Sequence, residues 1–215
     1  MEKISVVITT YNRREVLEGL LDCLENQTDQ DFETIVVMDN CTDDTEEMLK
    51  GRNLKYFDTK IEGYGLATAR NIGIKNASGE IVVILDDDSY PTTDFVKEHK
   101  RTARRGTIVT GARLPDTDDD IDNLNAKMAD LEERYSRPKR LKSFIVENNT
   151  CMYKTNWLQV PFDESIQHYG GIGQKFNKDL RENGYTCLFN PRAEIVHMSI
   201  YKRNYDLHSN NGGEE

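Results

Sequence analysis

The chain has 215 residues, 31% of them charged and 37% hydrophobic, with 38 acidic against 28 basic side chains and a net charge of −10. That length makes one domain, or one with a lobe attached, and is enough to bury a proper core. The acidic excess argues against general binding to nucleic acid or to an anionic membrane, which needs a basic face, and leaves room for phosphate in a small pocket.

The four cysteines, Cys23, Cys41, Cys151 and Cys187, form no CxxC pair and no zinc spacing. They read as buried free thiols of a reducing compartment. No run approaches the ~18–20 apolar residues of a membrane span, and a strand beginning by Ile4 leaves no place for a signal peptide. A soluble, cytoplasmic protein with no transmembrane segment and no nucleic-acid partner is expected.

Ile4–Thr10, rich in β-branched residues, is predicted as a strand leaving through Tyr11-Asn12-Arg13-Arg14. Val16, Leu17, Leu20, Leu21 and Leu24 follow at helical spacing. Glu33–Met38 reads as a second strand, ending in Asp39-Asn40-Cys41-Thr42-Asp43-Asp44. Thr42 or Asp43 is predicted to cap a short helix with Glu46 and Glu47 in its first turn. Leu54–Phe57 is a shorter third strand. Gly63-Tyr64-Gly65 then opens a helix carrying Leu66, Ala69, Ile72 and Ile74, with Arg70 and Asn71 inside it.

The most informative stretch is Gly79–Pro91, where the apolar run Ile81–Leu85 enters Asp86-Asp87-Asp88 and is stopped by Pro91. A continuous apolar run of this kind is a strand buried on both faces, as in a parallel sheet covered by helices. Ligands of open α/β sheets sit just beyond the carboxyl ends of the strands. Two readings of the aspartates follow: ligands of a hard divalent cation shared with phosphates, or a solvated turn. Strands alternating with helices call for right-handed βαβ units. Tyr11, the Arg13-Arg14 pair, Asp39 and Asp86 then converge on one sheet edge, where an aromatic ring, carboxylates and arginines fit a nucleotide with its phosphates. Each also has structural uses.

Four blocks carry a family likeness. They are Ser5–Arg13; Val37–Asp43; Gly65 with Ala69-Arg70-Asn71-Ile72-Gly73; and Ala77-Ser78-Gly79-Glu80 leading to Leu85-Asp86-Asp87-Asp88. In this order and with these gaps the chain resembles a family 2 glycosyltransferase of the GT-A fold. The resemblance implies an α/β, Rossmann-like, mostly parallel sheet flanked by helices, with a smaller mixed region on the acceptor side. It implies a nucleotide-sugar donor, UDP-linked in preference, and Mn²⁺ or Mg²⁺ held by the Asp-x-Asp motif. On this basis Thr9, Tyr11 and Asp39 would flank the base, and Arg70 would approach the nucleotide. Asp86 would lie toward the ribose, Arg13 and Asp87 would complete the donor side, and Asp88 would ligate the metal. The donor half would span residues 1–113 and the acceptor half 114–201, within one domain.

Beyond the motif, Thr92-Thr93-Asp94 is predicted to cap a helix, and Thr107–Ala112 to form a strand. Residues 114–142 are highly charged and poor in aliphatics, and read as a polar, mobile insertion. Asp116, Asp118, Asp120 and Asp122 alternate there, but Ile121 and Lys127 stand where an EF-hand needs glycine and glutamate. A polar loop and a helix with Leu124, Met128, Leu131 and Tyr135 fit better. That segment is either a lid over the site or a surface excursion.

Glu147–Tyr153 resembles the family's strand beneath the acceptor site, so Glu147 is either an acceptor contact or a surface charge. Trp157 would stack on a sugar face or fill the core. Ala193–Met198 is a short strand whose His197, by the resemblance, completes the metal site with Asp88. Residues 202–215 read as a flexible tail.

The pattern breaks at Gly170-Gly171-Ile172-Gly173. Inverting members carry Gly-Gly-Glu-Asp there, the second acid being the general base, and neither Ile172 nor Gly173 can accept a proton. Asp163, Glu164 and His168 are the candidate substitutes, with Asp179 ranked below them. The enzyme would recruit another base, transfer with retention, or have lost activity and kept nucleotide binding. The expected function is metal-dependent sugar transfer to a hydroxyl of a glycan, lipid or protein. A non-catalytic nucleotide-sugar-binding protein is the chief rival. A nucleotidyltransferase would want glycines that Tyr11-Asn12-Arg13-Arg14 lacks.

Overall fold

The computed structural model describes residues 2–115, 136–141 and 147–198. The predicted helix over Leu124–Tyr135, most of the 114–142 insertion and the 202–215 tail lie outside them.

In chain order the elements are β1 (Ile4–Thr10), α1 (Arg14–Glu25), β2 (Phe32–Met38), α2 (Thr45–Lys50), β3 (Lys55–Asp58), α3 (Leu66–Asn76), β4 (Ile81–Asp86) and β5 (Ser89–Pro91). There follow α4 (Phe95–Thr102), β6 (Thr107–Pro115), β7 (Lys139–Leu141), β8 (Thr150–Tyr153), α5 (Lys154–Gln159), α6 (Ile172–Glu182) and β9 (Thr186–His197). The described strands form one sheet in the order β3-β2-β1-β4-β8-β6-β9-β5, with β7 also on β9. β3, β2, β1 and β4 run parallel. β8 is antiparallel to β4 and β6, and β6 runs parallel to β9. The expected α/β architecture, mostly parallel with a mixed second part, is borne out.

The apolar runs work as a two-faced core requires. Ile4, Val6 and Ile8 of β1 and Val83 and Leu85 of β4 pack with Leu17, Leu20 and Leu24 of α1 and Phe95 of α4. Val7, Val82 and Ile84 point the other way, to Ala69 and Ile74 of α3, Trp157 of α5 and Phe176 of α6. Side chains alternate across a strand, so only a run apolar at every position satisfies both layers.

Two local expectations change. Pro91 does not stop a strand: it lies in β5, antiparallel to β9 at the sheet edge, where a missing N–H is tolerated. The expected part of Asp43 at the start of the helix after β2 holds: its Oδ1 accepts from Thr45 N at 3.2 Å, while the side chain of Asp44 makes no cap bond. By contrast, Asp94 precedes α4 without a side-chain cap bond.

The second half of the sheet is tied together by Asn149, whose Nδ2 donates to Ala112 O and Ala193 O at 2.7 and 2.8 Å. Its Oδ1 faces Nε2 of the fully buried His99 at 2.8 Å, and His99 Nδ1 faces Cys151 Sγ at 3.2 Å. Burial drives the His99 imidazole down to about 4. The unfolded chain therefore binds a proton from about pH 6.5 downward that the folded chain refuses until about pH 4. Stability from this group is present above pH 6.5 and is lost as pH falls toward 4, by about 3 kcal/mol. Urea unfolding at pH 7 and pH 4 should show a larger loss in the wild type than in His99→Gln, and equal losses would contradict this account.

Candidate active site

The carboxyl ends of β1, β2 and β4 lie side by side, with Thr9 opposite Asp86 and Thr10 opposite Met38 in register. Each strand leaves its polar residues at the same edge. Thr9 is buried there, whereas Tyr11 is 45% exposed and presents its ring to solvent. Asn12 turns the chain at φ 51°, and its Oδ1 accepts from Thr42 N at 2.7 Å and Asp43 N at 3.3 Å, which joins the β1 and β2 loops.

Asp39 closes β2. Its Oδ1 accepts from Thr59 Oγ1 at 3.0 Å and its Oδ2 from Gly65 N at 2.8 Å. Burial raises this carboxyl against the pull of those donors. A Cβ on residue 65 would meet Asp39 Oδ1 and stand 3.2 Å from its Cγ, so the helix start can approach the carboxylate only as glycine.

Two arginines organise the three aspartates. Arg13 Nη1 reaches Asp87 Oδ1 at 3.0 Å and Asp88 Oδ2 at 3.1 Å. Thr10 Oγ1 donates to Asp87 Oδ2 at 2.8 Å, and burial pushes the Asp87 carboxyl up to about 7 against the pull of Arg13. Arg70, from α3, is almost wholly buried; its Nη2 pairs with Asp86 Oδ1 at 2.8 Å and its Nη1 with Glu147 Oε1 at 3.2 Å. Burial raises the Asp86 carboxyl, and Arg70 opposes that rise. His197, at the end of β9, brings Nε2 to 3.6 Å from Asp88 Oδ2. Burial alone would raise Asp88, but His197 and Arg13 together hold it below the usual carboxylate range.

Predicted residues thus meet here: Thr9, Arg13, Arg70, Asp86, Asp87, Asp88, His197 and Glu147 around the strand end, with Tyr11 and Asp39 beside them. Trp157 does not belong to this group, and the acceptor role is corrected. It is fully buried, its Nε1 donates to Val82 O at 2.9 Å, and its ring stacks on Phe176 at 5.3 Å, so neither face is open to a sugar. The candidate bases lie on the loop before α6. Asp163 accepts from Ser165 Oγ at 2.6 Å, Glu164 accepts from Asn71 Nδ2 at 2.8 Å, and His168 Nδ1 faces Tyr169 O at 3.2 Å. Their hydrogen bonds stay on that loop and on α3.

One residue of the site had no predicted role. Asn148 Oδ1 accepts from Asp86 N at 3.0 Å, and its Nδ2 donates to Ser89 Oγ at 2.7 Å. It braces both ends of the aspartate turn. The signal available was a pair of asparagines directly before an apolar strand.

Among the described residues no three His, Cys, Asp or Glu side chains stand together as a cation cage. Asp88 and His197 offer one carboxylate oxygen and one imidazole nitrogen, donors that Mn²⁺ accepts. A two-residue platform suits a hard cation that keeps water and takes phosphate oxygens from a bound partner. The residues therefore fit such an ion. No helix among the described residues is long and apolar enough to cross a membrane.

The family model described as glycosyl transferase family 2 matches residues 5–175. The chain is 30% identical over 241 aligned positions to a teichoic acid poly(glycerol phosphate) polymerase of Staphylococcus epidermidis, covering 96% of this chain and 31% of that one. It is 38% identical over 104 residues to a chondroitin synthase of Escherichia coli, covering 46% of this chain and 15% of that one. Among solved structures, S. aureus TarS residues 1–349 in complex with UDP-GlcNAc superposes with a TM-score of 0.70 at 19% identity, covering 92% of this chain and 60% of that one. GalNAc-T7 with UDP, GalNAc and Mn²⁺ gives 0.70 at 16% identity, covering 91% and 44%. At these identities the structural likeness speaks for the fold. The chain spans 13% of one curated relative and no more than 31% of these others.

Proposed function

Because the chain belongs to glycosyl transferase family 2, we propose that it moves a sugar from a nucleotide-diphosphate sugar, UDP-linked in preference, to an acceptor hydroxyl, with Mn²⁺ or Mg²⁺ at Asp88 and His197. The observation that carries this reading is the meeting of three aspartates, two arginines and a histidine at the carboxyl ends of parallel strands. The UDP-sugar named for TarS and the UDP and Mn²⁺ named for GalNAc-T7 support it by analogy.

Each residue has a part in this scheme. The buried Asp39 carboxylate, fixed by Thr59 and Gly65, accepts an N–H of the base, and the exposed Tyr11 ring lies along its face. Thr9 lines the floor between them. Asp86, turned by Arg70, accepts a ribose hydroxyl. Arg13, already drawn in by Asp87 and Asp88, is the cation available to the phosphates. A bound divalent ion supplies charge neutralisation to the departing diphosphate. The Asp86–Asp88 turn is held by Asn148 before any ligand arrives, so little reorganisation is needed on binding.

The test is calorimetry with UDP and GDP, with and without Mn²⁺, followed by incubation with a panel of nucleotide sugars. Metal-dependent binding with release of nucleoside diphosphate is expected. Tight binding with no turnover of any donor and any acceptor would move the protein to the non-catalytic reading, which the Ile172-Gly173 substitution favours. An intact fold that binds neither nucleotide would sink both.

A further inference from the structure

Around the strand end the aspartates are engaged: Asp86 on Arg70, Asp87 on Thr10 and Arg13, Asp88 on Arg13 and His197. Glu147, like Asp86, has one oxygen on Arg70: Oε1 takes Nη1 at 3.2 Å, and its side chain keeps 20% of its surface in solvent against 34% for Asp86. What sets it apart is the place of its second oxygen. Its Oε2 lies against the backbone of Gly173, in the first turn of α6. A Cβ on residue 173 would stand 2.9 Å from Glu147 Cδ and 3.0 Å from Oε1, and would meet Oε2 itself. The carboxylate therefore occupies the volume that a side chain at position 173 would need. Gly173 and Glu147 are a matched pair: the helix gives up its side chain, and the loop before β8 sends a carboxylate into the space. The first turn of a helix is also where a negative charge is stabilised.

We infer that Glu147 is the catalytic base of the transfer, its carboxylate reaching into the gap that Gly173 leaves at the start of α6, with Arg70 as its positioning residue. This rests on the transferase reading above. Glu147 Oε2 takes the proton of the acceptor hydroxyl as that oxygen's electron pair forms a bond to the anomeric carbon. The bond from that carbon to the diphosphate oxygen breaks, and its electron pair leaves with the nucleoside diphosphate. The proton passes from Glu147 to solvent after the product departs. One displacement with one base inverts the anomeric configuration. Arg70 holds Oε1, which leaves Oε2 as the oxygen outside that ion pair.

The test compares wild type, Glu147→Gln and Glu147→Ala, with UDP binding by calorimetry in Mn²⁺ and UDP release from UDP-glucose and UDP-GlcNAc, water serving as acceptor. Glu147→Gln, nearly isosteric, should lower UDP release at least about 100-fold and leave UDP affinity and the melting temperature close to wild type. Azide attacks without needing a base, so it should restore UDP release in Glu147→Ala, a rescue that a structural role would not produce. Unchanged release in Glu147→Gln overturns the inference, as does a parallel loss of UDP binding or an absence of azide rescue in a variant that still binds UDP. A wild-type protein that neither binds UDP nor releases it fails the transferase reading, and this inference with it.

Discussion

Replacing Arg70 with alanine is expected to cost about 3–5 kcal/mol of folding stability, the range found when one partner of a buried ion pair is removed. The guanidinium is almost wholly buried and lies 5.2 Å from the centre of the Phe162 ring. Desolvating it is unfavourable, and its ion pairs with Asp86 and Glu147 compensate. Without it, Asp86 and Glu147 would lose the cation they share, and the volume the guanidinium fills against Phe162 would be left empty. Arg70→Lys should recover only part of the loss, because one ammonium on a thinner stem cannot span two carboxylates as a planar fork does. Urea unfolding at neutral pH measures both variants. A loss below about 1 kcal/mol for Arg70→Ala would mean that the two carboxylates find other partners or water.

Asp88→Asn should behave in the opposite way. Stability is expected to change by about 1 kcal/mol or less, since the amide keeps one acceptor oxygen for Arg13 and relieves Asp86 and Asp87 of a like charge. Release of nucleoside diphosphate should fall about 10³-fold, which corresponds to the several kcal/mol of charge stabilisation a cation supplies at a leaving group. The Mn²⁺ dependence of nucleotide binding should disappear as well, and that can be read by calorimetry without turnover. A variant that retains Mn²⁺-dependent nucleotide binding would remove Asp88 from the metal platform. The pair of substitutions separates a residue that holds the site together from one that the site exists to present.

What could be read from sequence follows from how local each cause is. Ile4–Thr10, Phe32–Met38 and Ile81–Asp86 announce themselves by the unbroken apolar runs Val6–Ile8, Ile35–Met38 and Ile81–Leu85, which a strand covered on both faces requires. α1 announces itself because its buried leucines repeat at the helical period. Asp39 and the Asp86–Asp88 run were legible because a parallel sheet has a known ligand edge. Contacts between distant segments were not. Nothing in Asn148 says that it will hold the backbone N–H of Asp86, and nothing in Gly173 says that a glutamate will fill its missing side chain. The two readings of Trp157 stayed open for the same reason: an indole looks alike in sequence whether it faces a sugar or Phe176. Pro91 was misplaced because an edge position depends on β9, far along the chain.

The long last strand has a consequence for how the protein is made. β9 pairs with β5, β6 and β7, while β8 covers the exposed side of β4. On the ribosome, β1 to β4 can assemble as soon as they emerge. β5 must then wait for its partner, because Ser89 pairs with His197. At about 5–20 residues per second, the apolar edge of β4 likewise stays open for several seconds in a half-built chain until β8 is made. Such an edge is a template for pairing with other molecules. Yield on overexpression should therefore be limited by this interval and not by the stability of the finished protein, and slowing synthesis between β6 and β9 should worsen it.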